Sequence, residues 1–260
     1  MSLESVFVRD GDRFRATEIA LGPWFEKALH GGAPAALLVH VVTGAVPDPQ
    51  LRLARITCEF VRPVLLGELS TRVEVVRPGR RVTLLDVYLA DGQGVEVTRA
   101  RALLVRPSQV GTPPSTAPPF PEPEQGQLKD FHHAKGRPMF ATDAMEIRFV
   151  EGSFLEPGDA TAWFRLRHPL VAGEPSSPLE LLAAAGDFGN GIASVLDWDE
   201  HMFINPDLTV HIEREPVDEW VALQAQTRVR LGSVAVAESV LWDRRGRIGR
   251  ATQSLLVDRR

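Results

Sequence analysis

Ser177-Pro-Leu-Glu-Leu-Leu-Ala-Ala-Ala-Gly-Asp187-Phe-Gly-Asn190 is the stretch whose reading decides the fold. Ser177 as N-cap, Pro178 at the first helical position and Glu180 closing a capping box mark the start of a helix. Leu179, Leu182 and Ala183 then form an apolar stripe at helical spacing, and Asp187 sits a turn or so before the glycines that should end the helix. A carboxylate set in such an apolar run costs free energy unless something binds it. Asp187 is therefore either satisfied by its neighbours or reactive.

Working outward, the sequence places strands on both sides of this helix. Ala144–Val150 and Ala160–Arg167 precede it; Leu208–Glu213, Trp220–Arg230, Ala235–Asp243 and Ile248–Val257 follow. The same order stands earlier in the chain. A hairpin, Ser5–Arg9 and Asp12–Ala16 around Asp10-Gly11, precedes a helix entered at about Pro34 behind His30-Gly31-Gly32. Strands Leu51–Val64, Glu68–Arg77, Arg81–Ala90 and Val95–Val105 come next, broken by Arg62-Pro63, Pro78-Gly79 and Asp91-Gly92.

Sliding the first half forward until Val105 lies on Val257 exposes residue matches as well. Leu103-Leu104-Val105 falls on Leu255-Leu256-Val257, Asp91 on Asp243, Arg62 on Arg214 and Thr57 on Thr209. One helix followed by antiparallel strands, present twice, reads as a duplicated α+β unit. The units span 1–106 and 139–260, and the proline-rich 107–138 reads as a linker or extended crossover. At this shift Asp187 lies against Ala35 and Gln253 against Arg101, so the halves share a framework but not these polar residues.

Composition narrows the function classes. The chain has 260 residues, 29 Lys and Arg against 34 Asp and Glu, and a formal net charge of −5. Scattered basic residues in a mildly acidic chain argue against nucleic acid as a partner. No apolar run approaches the ~18 residues of a membrane span, and no signal pattern opens the sequence, so a cytoplasmic location is expected. Cys58 stands alone, which excludes an intramolecular disulfide and a cysteine metal cluster. His132 and His133 have no ligand partner at helical spacing and read as a solvated loop, leaving no metal site. His30 and His40 read as core or rim residues.

On Gly31-Gly32, Phe60-Val-Arg-Pro63, Asp187, Asn205-Pro-Asp-Leu-Thr-Val-His-Ile-Glu-Arg214 and Ala251-Thr-Gln253-Ser-Leu-Leu-Val257 the sequence resembles the acyl-CoA thioesterase II family and its thioesterase-like relatives. The resemblance covers both halves and implies an α+β double hotdog, two tandem units each with a long helix wrapped by an antiparallel sheet. It implies acyl-CoA as substrate, a place in fatty acid metabolism, and no cofactor. It also implies a water held by an aspartate, a hydroxyl residue and a glutamine. Asp187 and Gln253 fall on two of those positions. The hydroxyl position falls on Asn205, a departure, with Thr209 four residues later as the alternative.

The chemistry fits these residue types. Asp187 would orient the water and take its proton, Gln253 would fix its orientation with a donor and an acceptor, and backbone N–H groups at Gly31-Gly32 would receive the substrate oxygen. No Gly-x-Ser-x-Gly motif offers a covalent route. The Asn205 departure keeps a non-catalytic acyl-CoA-binding or scaffold protein as the alternative. A hotdog hydratase ranks lower, because no histidine follows Asp187 before His201. Alternation also puts Leu208, Val210 and Ile212 on the apolar strand face and Thr209 on the other. Oligomeric state, homo-oligomer included, stays open.

Overall fold

The computed structural model describes residues 5–46, 48–108, 111, 120–131, 136–230 and 234–260. His132 and His133 lie outside these described residues.

In the first half, β1 (Phe7–Asp10) and β2 (Arg13–Ala16) pair across a turn in which Gly11 takes φ +63°. Helix α1 (Gly32–Gly44) follows, then β3 (Arg52–Phe60), β4 (Glu68–Arg77), β5 (Val82–Asp91) and β6 (Glu96–Val105). In the second half β7 (Gln127–Leu128), β8 (Met145–Glu151) and β9 (Ala160–Leu166) lead into α2 (Pro178–Gly186) and α3 (Gly189–Ile192). The chain closes with β10 (His201–Ile204), β11 (Asp207–Ile212), β12 (Val221–Val229), β13 (Val234–Asp243) and β14 (Gly246–Arg259).

These strands form one antiparallel sheet of order β1-β2-β4-β5-β6-β3-β11-β14-β13-β12-β9-β8-β7, with β10 alongside β14. The order reads the same from both ends if β8 and β9 stand for β1 and β2, and β11 to β14 for β3 to β6. The two halves meet at β3 and β11, where Thr57 pairs with Thr209, Cys58 with Leu208 and Ile56 with Val210. A pseudo-twofold axis therefore passes through the Thr57–Thr209 pair, the two threonines that the duplicated sequence superposes.

The helices pack against each other inside this sheet. Residues Gly32 to Val39 of α1 are buried without interruption, so the helix is apolar on every side rather than striped. Each fully buried leucine there contributes about 1.5–3 kcal/mol. Close approach to α2 is possible because Gly32 has no side chain: a Cβ on it would lie 2.5 Å from the Ala184 carbonyl oxygen. At the start of α2 the expected capping box is present. Ser177 Oγ accepts the Glu180 N–H at 3.3 Å, and Glu180 accepts the Ser177 N–H at 2.9 Å.

Three expectations change. The second helix is not long: it stops after nine residues, with Asp187 as its C-cap, and a separate four-residue turn of helix, α3, follows. The single shift used to superpose the halves does not hold everywhere. Counted from the helix starts at Gly32 and Pro178, Asp187 matches Val41, not Ala35. In the last strand Thr57 pairs with Arg101 whereas Thr209 pairs with Thr252, so Gln253 matches Ala102, not Arg101. The cause is the preceding turn. It spans Ala90 to Glu96 in the first half and Trp242 to Arg247 in the second, one residue shorter. A one-residue slip turns every side chain to the other face, which is why Gln253 is buried while Arg101 is exposed.

Part of the connecting segment is also more than a tether. Its described residues supply β7 to the sheet edge, and Phe120 stacks on Trp242 at 4.5 Å. The Trp163 indole N–H donates to the Pro121 carbonyl at 2.8 Å.

Candidate active site

Asp187 sits where α2 breaks, with only 3% of its surface exposed. Its carboxylate accepts from two side chains and has a third close against it. Asn205 Nδ2 donates to Oδ1 at 2.7 Å, and Gln253 Nε2 donates to the same oxygen at 3.2 Å. His30 Nδ1 lies 3.1 Å from Oδ2. Gln253 is fully committed to the protein: Nε2 also donates to the Asp187 carbonyl at 3.1 Å, and Oε1 accepts the Asn190 N–H at 3.2 Å. Gly189 makes that approach possible, since a Cβ there would stand 3.0 Å from Gln253 Oε1.

Of the residues singled out in the sequence, Asp187, Gln253, Asn205 and Gly31 come together. Asn205 reaches Asp187 because it precedes β11, across Pro206, and is free of the strand's alternation. Thr209 does not join them. Alternation buries Leu208 and Val210 against the helices and turns Thr209 away, where its hydroxyl meets Thr57 Oγ1 at 3.2 Å. Gly31 borders the carboxylate so closely that a Cβ would lie 2.7 Å from Oδ2. Gly32 instead packs α1 on α2.

His30 is the member that reading the sequence missed. Its ring stacks on Phe188 at 4.2 Å and contacts Phe140 at 5.3 Å, which fixes its plane. Nδ1 is also 3.1 Å from the Gly32 N–H. Nδ1 is thus the acceptor of the Gly32 N–H, and it meets Oδ2 as a close contact rather than as a donor. The histidine comes from the first half and the aspartate from the second; no local motif links them.

A cavity of about 400 Å³ opens beside this cluster. Asp187, His30, Gly31 and Asn205 border it at one end, and its walls are apolar, among them Trp24, Phe60, Trp198 and Ile204. Trp24 stacks on Trp198 at 5.0 Å. Arg62 lies exposed at its rim. Cys58 is no nucleophile: burial, with the Asp187 and Asp207 charges adding to it, pushes its thiol far up. Among the described residues no group of three or more His, Cys, Asp or Glu side chains could hold a metal ion. No helix among them is long and apolar enough to cross a membrane.

A buried carboxylate with an adjoining histidine, opening on an apolar cavity, has the residue types that acid–base chemistry on an apolar ligand requires. The family comparison makes this specific. Residues 20–105 match the acyl-CoA thioesterase N-terminal domain and residues 114–257 the acyl-CoA thioesterase C-terminal domain. The chain belongs to the acyl-CoA thioesterase family, an enzyme family of thioester hydrolases. Among solved structures it is similar to a protein assigned as a thioesterase II from Thermobifida fusca, with a TM-score of 0.77 and 20% identity over 97% of this chain and 95% of that one. A hotdog-fold protein from Alicyclobacillus acidocaldarius matches at 0.74 and 16%, over 97% and 95%. The acyl-CoA thioesterase II of Mycobacterium marinum matches at 0.68 and 16%, over 96% and 93%. At these identities the likeness shows the fold, which is of the hotdog type. No curated protein matches the chain.

Proposed function

We propose that the chain is a double hotdog, with units 1–106 and 139–260 joined by 107–138, that hydrolyses an acyl-CoA to a carboxylic acid and free CoA at Asp187. The observation that carries this reading is the carboxylate's unequal surroundings. Oδ1 receives two protein donors, Asn205 and Gln253. Oδ2 faces one nitrogen, His30 Nδ1, and the open space left by Gly31. A carboxylate oxygen has two lone pairs, so Oδ2 keeps one for a water in the cavity.

In the mechanism Asp187 orients that water and accepts its proton as the oxygen adds to the thioester carbonyl. Asp187 then gives that proton to the leaving thiolate, and His30, 3.1 Å from Oδ2, bounds the site on that side. The Gly31 N–H, at the N-terminus of α1, donates to the developing oxyanion. Asn205 takes the place of a hydroxyl residue and holds Asp187 from the cavity side. Gln253 is a positioning residue here: both ends of its amide are engaged by the protein, so it aims Asp187 rather than touching the water. Arg62 at the rim suits the phosphates of CoA, and the apolar walls suit the acyl chain.

Incubating the protein with acyl-CoAs of graded chain length and measuring free thiol tests the reading. Thiol release that disappears in Asp187→Ala supports it; equal release by Asp187→Ala sinks it. The Asp187–His30 pair also favours a second reading, water addition to an enoyl-CoA, since that chemistry uses such a pair. Loss of enoyl absorbance without thiol release would select it. Tight binding of acyl-CoA with neither reaction would select the non-catalytic alternative.

A further inference from the structure

A second carboxylate–histidine pair spans α1 and α2 at the opposite end of the helix contact. Glu180, 4% exposed at the third position of α2, brings Oε1 to 3.0 Å from His40 Nδ1. His40 Nε2 is 2.9 Å from an Arg9 guanidinium nitrogen. Arginine can only donate, so Nε2 is the acceptor there and Nδ1 carries the proton given to Glu180. The Glu174 carboxylate also lies 3.6 Å from Nε2, so two carboxylates and one guanidinium face the ring. Arg9 itself rests on Glu174 at 3.3 Å and over the Phe14 ring at 5.0 Å.

This pair borders its own cavity, of about 840 Å³, lined by Arg9, Phe14, His40, Val41, Glu174 and Glu180 among others. The two cavities lie at opposite ends of the helix pair, bordered by Asp187 and His30 in one and by Glu180 and His40 in the other. Their carboxylates both come from α2 and their histidines both from the first half.

We propose that this second cavity is a separate acid–base site, with His40 as general base, Glu180 orienting it, and a neutral ester or thioester as substrate. Charge decides the substrate class. Asp12, Glu174 and Glu180 line the cavity against the single guanidinium of Arg9, a balance that repels the phosphates of CoA. In the reaction His40 Nε2 takes a proton from water while the water oxygen bonds to the carbonyl carbon. Arg9, whose side chain is 45% exposed, swings from Nε2 to donate to the oxyanion. The bond from carbonyl carbon to the leaving oxygen or sulfur then breaks, and the leaving group takes the proton from His40. Water is the only co-reactant.

The experiment uses full-length Asp187→Ala protein and p-nitrophenyl acetate, a neutral ester. Turnover well beyond one equivalent is expected to persist there although acyl-CoA hydrolysis is lost. Adding His40→Gln should lower it by about tenfold or more. Glu180→Gln is the folding-safe companion, because glutamine also closes a capping box. It should lower kcat for p-nitrophenyl acetate and leave KM unchanged, since it removes the group that orients His40 and not one that touches the ester. In otherwise native protein both substitutions should leave acyl-CoA hydrolysis unchanged. Absence of turnover in Asp187→Ala, or a rate indifferent to both substitutions, overturns the proposal without touching the assignment at Asp187. Acyl-CoA hydrolysis unaffected by Asp187→Ala would instead fail that assignment alone.

Discussion

Gly31→Ala isolates the geometry on which catalysis at Asp187 depends. Gly31 has helical backbone angles, φ −58° and ψ −25°, so alanine introduces no backbone strain. The added Cβ, however, would lie 2.7 Å from Oδ2, 3.0 Å from Oδ1 and 3.1 Å from Cγ of Asp187. Ordinary contact requires the carboxylate to retreat by roughly 0.5 Å or more, out of line with Asn205 and away from the space for the water. A displacement of ~1 Å at a reacting centre costs on the order of 100-fold in rate, equivalent to about 2.7 kcal/mol. The fold should hardly notice. Weakening the Asn205 bond costs about 1 kcal/mol, partly offset by about 0.4–1 kcal/mol from a less flexible unfolded chain, for a change of a few degrees in Tm at most. Gly32→Ala is the contrast, because its Cβ meets the Ala184 carbonyl oxygen at 2.5 Å and must push the helices apart. It should lower Tm by far more than Gly31→Ala. The assay is kcat/KM for thiol release alongside thermal melts. Wild-type activity in Gly31→Ala refutes the placement of the reacting carboxylate.

Asn205→Ala should reduce kcat by roughly 10- to 100-fold, while Thr209→Val, which touches only the Thr57 seam, should leave it within about twofold; kinetics on the pair decide which residue stands in the hydroxyl position. Gln253→Ala removes the donor to Asp187 and strands the buried Asn190 N–H, so melts should show a loss of about 1–3 kcal/mol together with a lower kcat. Burial raises the Glu146 carboxyl, but hydrogen bonds from Arg165 and Arg148 outweigh it and hold the group below its usual value of 4.5. That stability is fully present above about pH 4.5 and is lost as pH falls through the lower folded value. Glu146→Gln should therefore destabilise by about 2 kcal/mol at pH 7 and flatten the acid limb of Tm against pH; an unchanged acid limb would count against the pair. Because burial pushes the Cys58 thiol up, a thiol reagent should leave native protein unlabelled and react with the chain's one cysteine after denaturation, measured by absorbance.

Local signals made the elements legible. Glu68–Arg77 is the expected strand to the residue, and the capping box at Ser177 is present with both of its hydrogen bonds. Turn residues, capping residues and period-two alternation act over a few neighbours, so sequence carries them directly. The short strand β10 was missed because it lies in an extension between helix and β11 that the first half lacks. The break after Gly186 was missed because Asp187 and Phe188 keep near-helical angles at the break, φ −78° and −83°, while their hydrogen bonding turns to Gln253 and to a new turn.

For this protein the sequence by itself determined the duplicated strand–helix–strand order, the thioesterase resemblance and the choice of Asp187. The order follows from short-range periodicity, the resemblance from the motifs around Gly31, Phe60, Asn205 and Gln253, and Asp187 from a carboxylate out of place in an apolar run. The tertiary structure alone decided the partners. His30 and Asp187, 157 positions apart, meet only because α1 and α2 pack side by side and antiparallel about the pseudo-twofold axis. Asn205, not Thr209, reaches Asp187 because a strand admits one face to the helices. Gln253 points inward because one turn is a residue shorter than its counterpart. Register and helix packing are long-range consequences of burial, and a linear sequence does not display them.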